Sequence, residues 1–208
     1  MNLVIEKLEI KIKEFRLQCD NLSFHHGDIL LITAPNGSGK SMFLKGITGL
    51  ENTIHRNIKI NGEDVVKLNL SNFIGAYLGE EFLIPFYEPK EYFELIGKIK
   101  GLENSQIKIT IESISNLFKQ SWPNKYIREL STGMRKKVGL AGSLIGDPEI
   151  ILWDEPFENI DDEGHSLLNE FIKNEKRLII YSSPVSSDQH FTGTLSIQAG
   201  RVIKNPVS

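Results

Sequence analysis

Cysteine occurs once in the 208 residues, at Cys19, which excludes an internal disulfide and any cysteine-based zinc cluster. A reducing compartment, the cytoplasm, is the expected setting. The opening MNLVIEKLEIKIKEF threads charges through its apolar residues, so it lacks the unbroken apolar stretch and small-residue cleavage site of a secretory leader. Nowhere do about 20 apolar residues run uninterrupted by Lys, Asp or Asn, so no bilayer-spanning helix is expected, and a membrane partner would have to supply the span. Basic excess is missing too: the formal charge is -3, which offers no field for nucleic acid. Repeats, low-complexity tracts and long linkers are also absent, and one compact α/β unit is the default for this length.

The apolar residues that are present fall into two periods. Leu8, Ile10 and Ile12 alternate with Glu9, Lys11 and Lys13, and Phe15, Leu17 and Cys19 continue the pattern, predicting an antiparallel sheet with one wet face. Ile29 to Thr33 is apolar and β-branched without alternation, as in a central strand covered on both faces. Met42, Phe43, Leu44 and Ile47 then suit a helix capped by Gly49. Strands are predicted at Asn57 to Ile60 and Phe73 to Leu78, and a helical pattern from Glu88 to Ile145. Its first segment carries Tyr92, Phe93, Leu95, Ile96 and Ile99, and its second Ile107, Ile111, Ile114, Leu117 and Phe118. The α/β rhythm resumes with Ile150 to Trp153, a helix near Gly164 to Lys173, the strand Leu178 to Tyr181 and a strand pair around Leu195 to Ile203. The expected division is a β subdomain with the start of the core over 1–87, an inserted helical subdomain over 88–145, and the rest of the core over 146–208.

APNGSGKS, between the buried strand and the first helix, places successive backbone N–H groups around phosphate oxygens at a positive helix terminus. Lys40 would reach the β- and γ-phosphates, and the Ser41 hydroxyl would bind Mg²⁺. Ala34 occupies the first glycine position of the usual pattern, so its φ is expected to be negative or mildly strained. Ile150 to Trp153 runs into Asp154 and Glu155, two carboxylates at the carboxyl end of a buried strand, where open α/β sheets bind ligands. Asp154 suits a metal shell, and Glu155 suits a base that orients or deprotonates a water.

Leu130-Ser131-Thr132-Gly133-Met134 heads an apolar-periodic helix that ends at Gly146-Asp147-Pro148, just before the carboxylate strand. Here the sequence resembles the ATP-binding cassette (ABC) ATPases, whose hallmark on that helix is leucine-serine-glycine-glycine-glutamine. The resemblance implies a P-loop NTPase core with a mixed, largely parallel central sheet, an N-terminal antiparallel β subdomain and an inserted helical subdomain. It implies ATP and Mg²⁺, with Asn36, Gly37, Ser38, Gly39, Lys40, Ser41 and Met42 on the nucleotide. Physically, Ser131 and the Gly133 N–H form a second anion site at a helix start, too far along the fold to meet the chain's own nucleotide. Two such sites imply a head-to-tail dimer with ATP between the subunits. Thr132 and Met134 depart from the hallmark, and an ordinary N-cap is the alternative reading of Ser131 or Thr132 if the motif is taken alone. Arg135, Lys136 and Lys137 read as a solvated basic turn.

Further positions follow from the resemblance. Asp161, in Glu158-Asn159-Ile160-Asp161, matches the acid of the dimer-contacting loop. Phe15 is either the aromatic stacked on adenine or a core strand residue. Where the family senses Mg²⁺ with a glutamine, this chain has Gly79 and Glu80, and Glu80 is the candidate ligand. Where a histidine meets the γ-phosphate, Ser182-Ser183-Pro184 is found, with Ser183 the nearest match; a serine lacks the charge of imidazole, so slow hydrolysis is expected. His190 reads as an exposed loop residue. The segment Ile74 to Leu102, with Pro85, Glu91-Tyr92 and Gly101-Leu102, is similar to exporter-type cassettes that pair with separate permeases. The resemblance therefore implies an ATPase subunit of an ABC transporter, working as a homodimer on the cytoplasmic face of a membrane through integral permease subunits. A soluble, nucleotide-gated ABC clamp or regulator is the alternative. An unrelated kinase with the same phosphate loop leaves Leu130 to Gly133 unexplained.

Overall fold

The computed structural model describes residues 1–183 and 190–206. In chain order its elements are β1 (Asn2–Ile12), β2 (Phe15–His25), β3 (Ile29–Thr33), α1 (Lys40–Thr48), β4 (Thr53–Ile60), β5 (Glu63–Asp64), β6 (Ile74–Tyr77), α2 (Pro89–Ile99), α3 (Asn104–Leu117), α4 (Thr132–Ser143), β7 (Ile150–Trp153), α5 (Asp162–Asn174), β8 (Leu178–Ser183), β9 (Gly193–Gln198) and β10 (Arg201–Pro206). The strands form one sheet in the order β5-β4-β1-β2-β10-β9-β3-β8-β7-β6. β9, β3, β8, β7 and β6 are mutually parallel, with Ile29 opposite Ile179 and Ile150 opposite Leu178. β1, β2, β4 and β5 are antiparallel, and the two regions meet where Arg201 of β10 pairs with Gln18 of β2.

The first strand begins six residues before the alternation predicted at Leu8. A register shift between Ile5 and Lys7 in the β1–β4 ladder slips the pleat by one residue, so Leu3 and Ile5 face the core and the phase changes before Leu8 and Ile10 do. Ile12, read as an inward position, is exposed at the hairpin end.

The unalternating strands are explained by two cores. Leu30, Ile32, Leu152 and Ile180 point to the side of α1, where Phe43, Leu44 and Ile47 meet Leu8, Ile10 and Leu17 of the antiparallel region. Ile29, Leu31, Ile151, Trp153, Ile179 and Tyr181 point to the opposite side, against Phe93, Val138, Leu168 and Ile172 of the other helices. Each central strand is thus apolar on both faces. α2 and α3 start with reciprocal capping boxes, Glu88 with Glu91 and Glu103 with Gln106, and Pro89 fits the first helical position of α2. Phe93 meets Trp122 edge-on at 5.0 Å between ring centroids. Ile99 is 61% exposed and lies outside this packing. α4 approaches β6 closely: a Cβ on Gly139 would come within 2.3 Å of the Tyr77 ring. Among the described residues no helix is long and apolar enough to cross a membrane.

Candidate functional site

The carboxyl ends of β3, β7 and β8 converge on the phosphate loop. The chain leaves Thr33, turns through 34–39 and enters α1 at Lys40, so the unpaired N–H groups of the first helical turn open onto the loop. Gly37 and Gly39 have φ of 76° and 105°, in the left-handed region that favours glycine. A Cβ at Gly39 would also lie 2.8 Å from Leu17 Cδ1 and 3.0 Å from Phe15 Cζ. Ala34 lies outside the left-handed region, as expected of alanine there. The Ser38 hydroxyl is buried without a hydrogen-bond partner, an orphan that a phosphate oxygen would satisfy. Ser41 and Met42 are half-buried in the first turn of α1, with Met42 packed against the first core. Phe15 packs on that core, as its reading as a core strand residue requires, and its ring edge lines the Gly39 side of the loop.

Lys40 is buried and turned back into the loop. Its Nζ donates to the Ala34 carbonyl at 3.1 Å and to Asn36 Oδ1 at 3.3 Å, and stands 3.6 Å from Glu155 Oε1. Asp154 follows the fully buried β7 and is held by its N–H to the Tyr77 carbonyl at 2.8 Å. Glu155 takes φ of 48°, disfavoured for a residue with a Cβ. Ser182 joins the two acids: its hydroxyl donates to Asp154 Oδ1 at 2.6 Å and accepts the Glu155 N–H at 2.9 Å. The sequence pointed to Ser183 instead. The two serines sit on opposite faces of the strand: Ser182 follows Ile180 onto the α1 face and Ser183 follows Tyr181 onto the other. Ser183 is buried and pairs with Thr33 in the ladder. Pro184 lies outside the described residues. His190 is exposed, as read from the sequence.

Gly79 has φ of 132°, and Glu80 opens a short 3-10 turn directly after it. Glu80 Oε2 sits 2.6 Å from Arg135 Nε, so this carboxylate is engaged by the α4 helix. A cavity of about 180 Å³ nonetheless has Gly79, Glu80, Asp154 and Glu155 among its walls. Hard oxygen donors dominate there, the chemistry that suits Mg²⁺. Among the described residues no group of three or more His, Cys, Asp or Glu could hold a metal by itself; with so few protein ligands, Mg²⁺ would keep phosphate oxygens and water in its shell.

Ser131 caps α4, its hydroxyl accepting the Met134 N–H at 3.2 Å, and it is exposed. The N-cap reading is therefore realised at the surface, where the residue stays open to a second molecule. Gly133 needs to be glycine for a local reason: a Cβ would lie 2.7 Å from the Asn159 carbonyl oxygen. The reading of Arg135 to Lys137 as a solvated turn is wrong for the two lysines, which are buried. Lys136 donates to the Glu155 carbonyl, and Lys137 pairs with Asp161 at 2.8 Å. Asp161 also caps α5 by accepting the Gly164 N–H at 2.9 Å. The Lys137 hydrogen bond, helped by that N–H, holds the Asp161 carboxyl below its ordinary range.

A family model described as ABC transporter matches residues 17–158. The ABC transporter ATP-binding protein NatA of Bacillus subtilis (strain 168) is 32% identical over 192 residues, covering 88% of this chain and 78% of the relative. The aliphatic sulfonates import ATP-binding protein SsuB of Bacillus cereus is 30% identical over 155 residues, covering 74% and 60%. Among solved structures, the dimeric structure of MJ0796, a bacterial ABC transporter cassette, superposes with a TM-score of 0.81 at 20% identity over 100% of this chain and 99% of that chain. The dimeric post-hydrolysis state of the same cassette bound to ADP and Pi gives 0.78 at 19% identity, with the same coverage. These two support the fold. The family match runs through the phosphate loop, the acid pair and the cap of α4, and this chain belongs to the ABC transporter family as an ATP-binding, ATP-hydrolysing subunit.

Proposed function

We propose that two copies of this chain close head-to-tail on ATP at the cytoplasmic face of a membrane and drive transport through separate permease subunits. The observation that carries this reading is the exposed Ser131 cap, braced against its own chain by the Gly133–Asn159 approach and the Lys137–Asp161 pair. Each copy presents one anion site at α1 and another at α4, and only a second molecule brings unlike sites together. The block 88–145 is the arm that carries Ser131, and Asp161 stands at the subunit contact.

ATP arriving at the loop offers phosphate oxygens to Lys40, Ser38 and the N–H groups of Gly37 to Lys40, and Phe15 offers its ring edge to the base. Lys40 then exchanges its carbonyl and carboxylate partners for phosphate, which frees Glu155. Glu155 takes a proton from a water whose oxygen bonds to the γ-phosphorus as the bond to the bridging oxygen breaks. ADP departs with the bridging electrons. Ser41 and Asp154 would hold Mg²⁺, with Glu80 nearby once it leaves Arg135, and the ion supplies charge neutralisation at the phosphates. Exposed Phe82 and Phe86 follow Glu80 and give a permease an apolar surface beside the site.

The test is Glu155→Gln. With ATP it should elute as a dimer and hydrolyse at least about 100-fold more slowly than wild type. Hydrolysis at the wild-type rate would overturn the base assignment, and a monomer at saturating ATP would overturn the sandwich. Affinity purification in detergent should recover an integral membrane protein; its absence would remove the permease.

A further inference from the structure

One buried cation beside the acid pair has no part in these steps. Lys136, in the second turn of α4, is 5% exposed, and its Nζ lies 6.0 Å from the centroid of the Tyr77 ring. That Nζ donates to the Glu155 carbonyl at 2.8 Å and stands 3.9 Å from Glu158 Oε2. Lys136 also lines the small cavity shared by Glu80, Asp154 and Glu155. A lysine is seldom buried this way unless it is paired. Burial draws its ammonium below the ordinary lysine value, while the carboxylates of Glu158, Glu155, Glu80 and Asp154 oppose that pull.

Its partner is the residue with the most demanding backbone in the site. A glutamate at φ 48° persists only where its surroundings over-determine it. Two contacts grip the residue from opposite ends: Ser182 takes its N–H, and Lys136 binds its carbonyl. The second is the stronger kind, a charged donor in a poorly solvated place. The same backbone setting leaves Oε1 of Glu155 3.6 Å from Lys40 Nζ, at the phosphate end of the site.

We propose that Lys136 is a positioning residue for ATP hydrolysis, its ammonium fixing the Glu155 peptide in the left-handed conformation that aims the carboxylate at the reacting phosphate. This rests on the reading of Glu155 as the base. The competing role is plain packing of α4 under β6, which would affect folding and leave the base alone.

The experiment measures single-turnover hydrolysis and ATP affinity of the full chain. Lys136→Met should lower the rate at least about 20-fold, since small displacements of a catalytic group are costly, while ATP Kd stays within about threefold. Lys136→Arg keeps the cation and the donor and should recover to within about fivefold of wild type. In the Glu155→Gln background, adding Lys136→Met should leave the residual rate unchanged within about twofold, because the lysine acts through that carboxylate. A wild-type rate for Lys136→Met, or an equal further loss in the Gln background, would overturn the proposal. Should Lys136→Met fail to fold by circular dichroism, Lys136→Gln is judged by the same criteria. A fully active Glu155→Gln removes the underlying reading, whereas an inactive Glu155→Gln beside an active Lys136→Met removes only this inference.

Discussion

Ser182→Ala tests whether the hydroxyl between the two acids holds the site together. Ser182 is fully buried, donating to a carboxylate at 2.6 Å and accepting a backbone N–H at 2.9 Å. A hydrogen bond to a charged group contributes about 1.5–3 kcal/mol, and a buried N–H left unpaired costs about 1–3 kcal/mol. Asp154 is partly open to water and recovers some of its loss, so the expected net destabilisation is about 2–4 kcal/mol. At about 2–4 °C per kcal/mol for a chain of this size, Tm should fall by roughly 5–15 °C. Turnover should drop further than stability alone requires, about 10- to 100-fold at temperatures where the variant is folded, since both acids lose an anchor. Urea unfolding and phosphate release measured on the same preparations check the two effects separately. Ser183→Ala, made in parallel, should leave the Asp154–Glu155 bridge intact. A Ser182→Ala protein within about 0.5 kcal/mol of wild type and equally active would refute the bridging role and return attention to Ser183.

Lys40→Ala should abolish ATP binding in equilibrium titration while the far-ultraviolet spectrum stays native, because α1 keeps its apolar face against the first core. Gly39→Ala should weaken ATP binding at least about tenfold through the φ of 105° and the collision with Leu17 and Phe15; unchanged affinity in the same titration would show that the loop relaxes freely. Asp161→Asn addresses pH. The folded-state carboxyl of Asp161 is held below its ordinary 3.8 by Lys137, so its stabilisation is present above the unfolded value and lost as pH falls through the depressed one. The urea midpoints of wild type and Asp161→Asn should therefore differ at neutral pH, begin to converge as pH falls below 3.8 and meet below the depressed value, with the gap small and salt-sensitive because the side chain is largely exposed.

The parts of this fold written locally were the ones legible in the sequence. An apolar run punctuated by Gly37 and Gly39 specifies β3, the loop and α1 within residues 29–48, and β7 with its acids is equally self-contained. What escaped reading depended on partners distant in the chain. Lys136 and Lys137 look solvated because charge is normally outside; their acceptors at Glu155 and Asp161 lie 19 and 24 residues away and arrive only when α4 docks on β6 and β7. Ser182 and Ser183 are chemically identical neighbours that only the pleat of β8 distinguishes. The start of β1 was hidden by a bulge, because a one-residue slip destroys the period on which recognition of a strand depends. The short turns at Val65–Lys67 and Leu70–Asn72, capped by Asp64 and Asn69, carried too few residues for any period.

The contact between Lys40 and Glu155 gives the lysine an anionic partner within its own chain, where the proposed site would place a phosphate. On the proposed role of Lys40, a nucleotide would be a competitor as well as a ligand, its affinity a difference between two anions vying for one ammonium. Neutralising the glutamate removes the incumbent, so Glu155→Gln should load faster and hold harder even in the first instant, before any cleavage has been prevented.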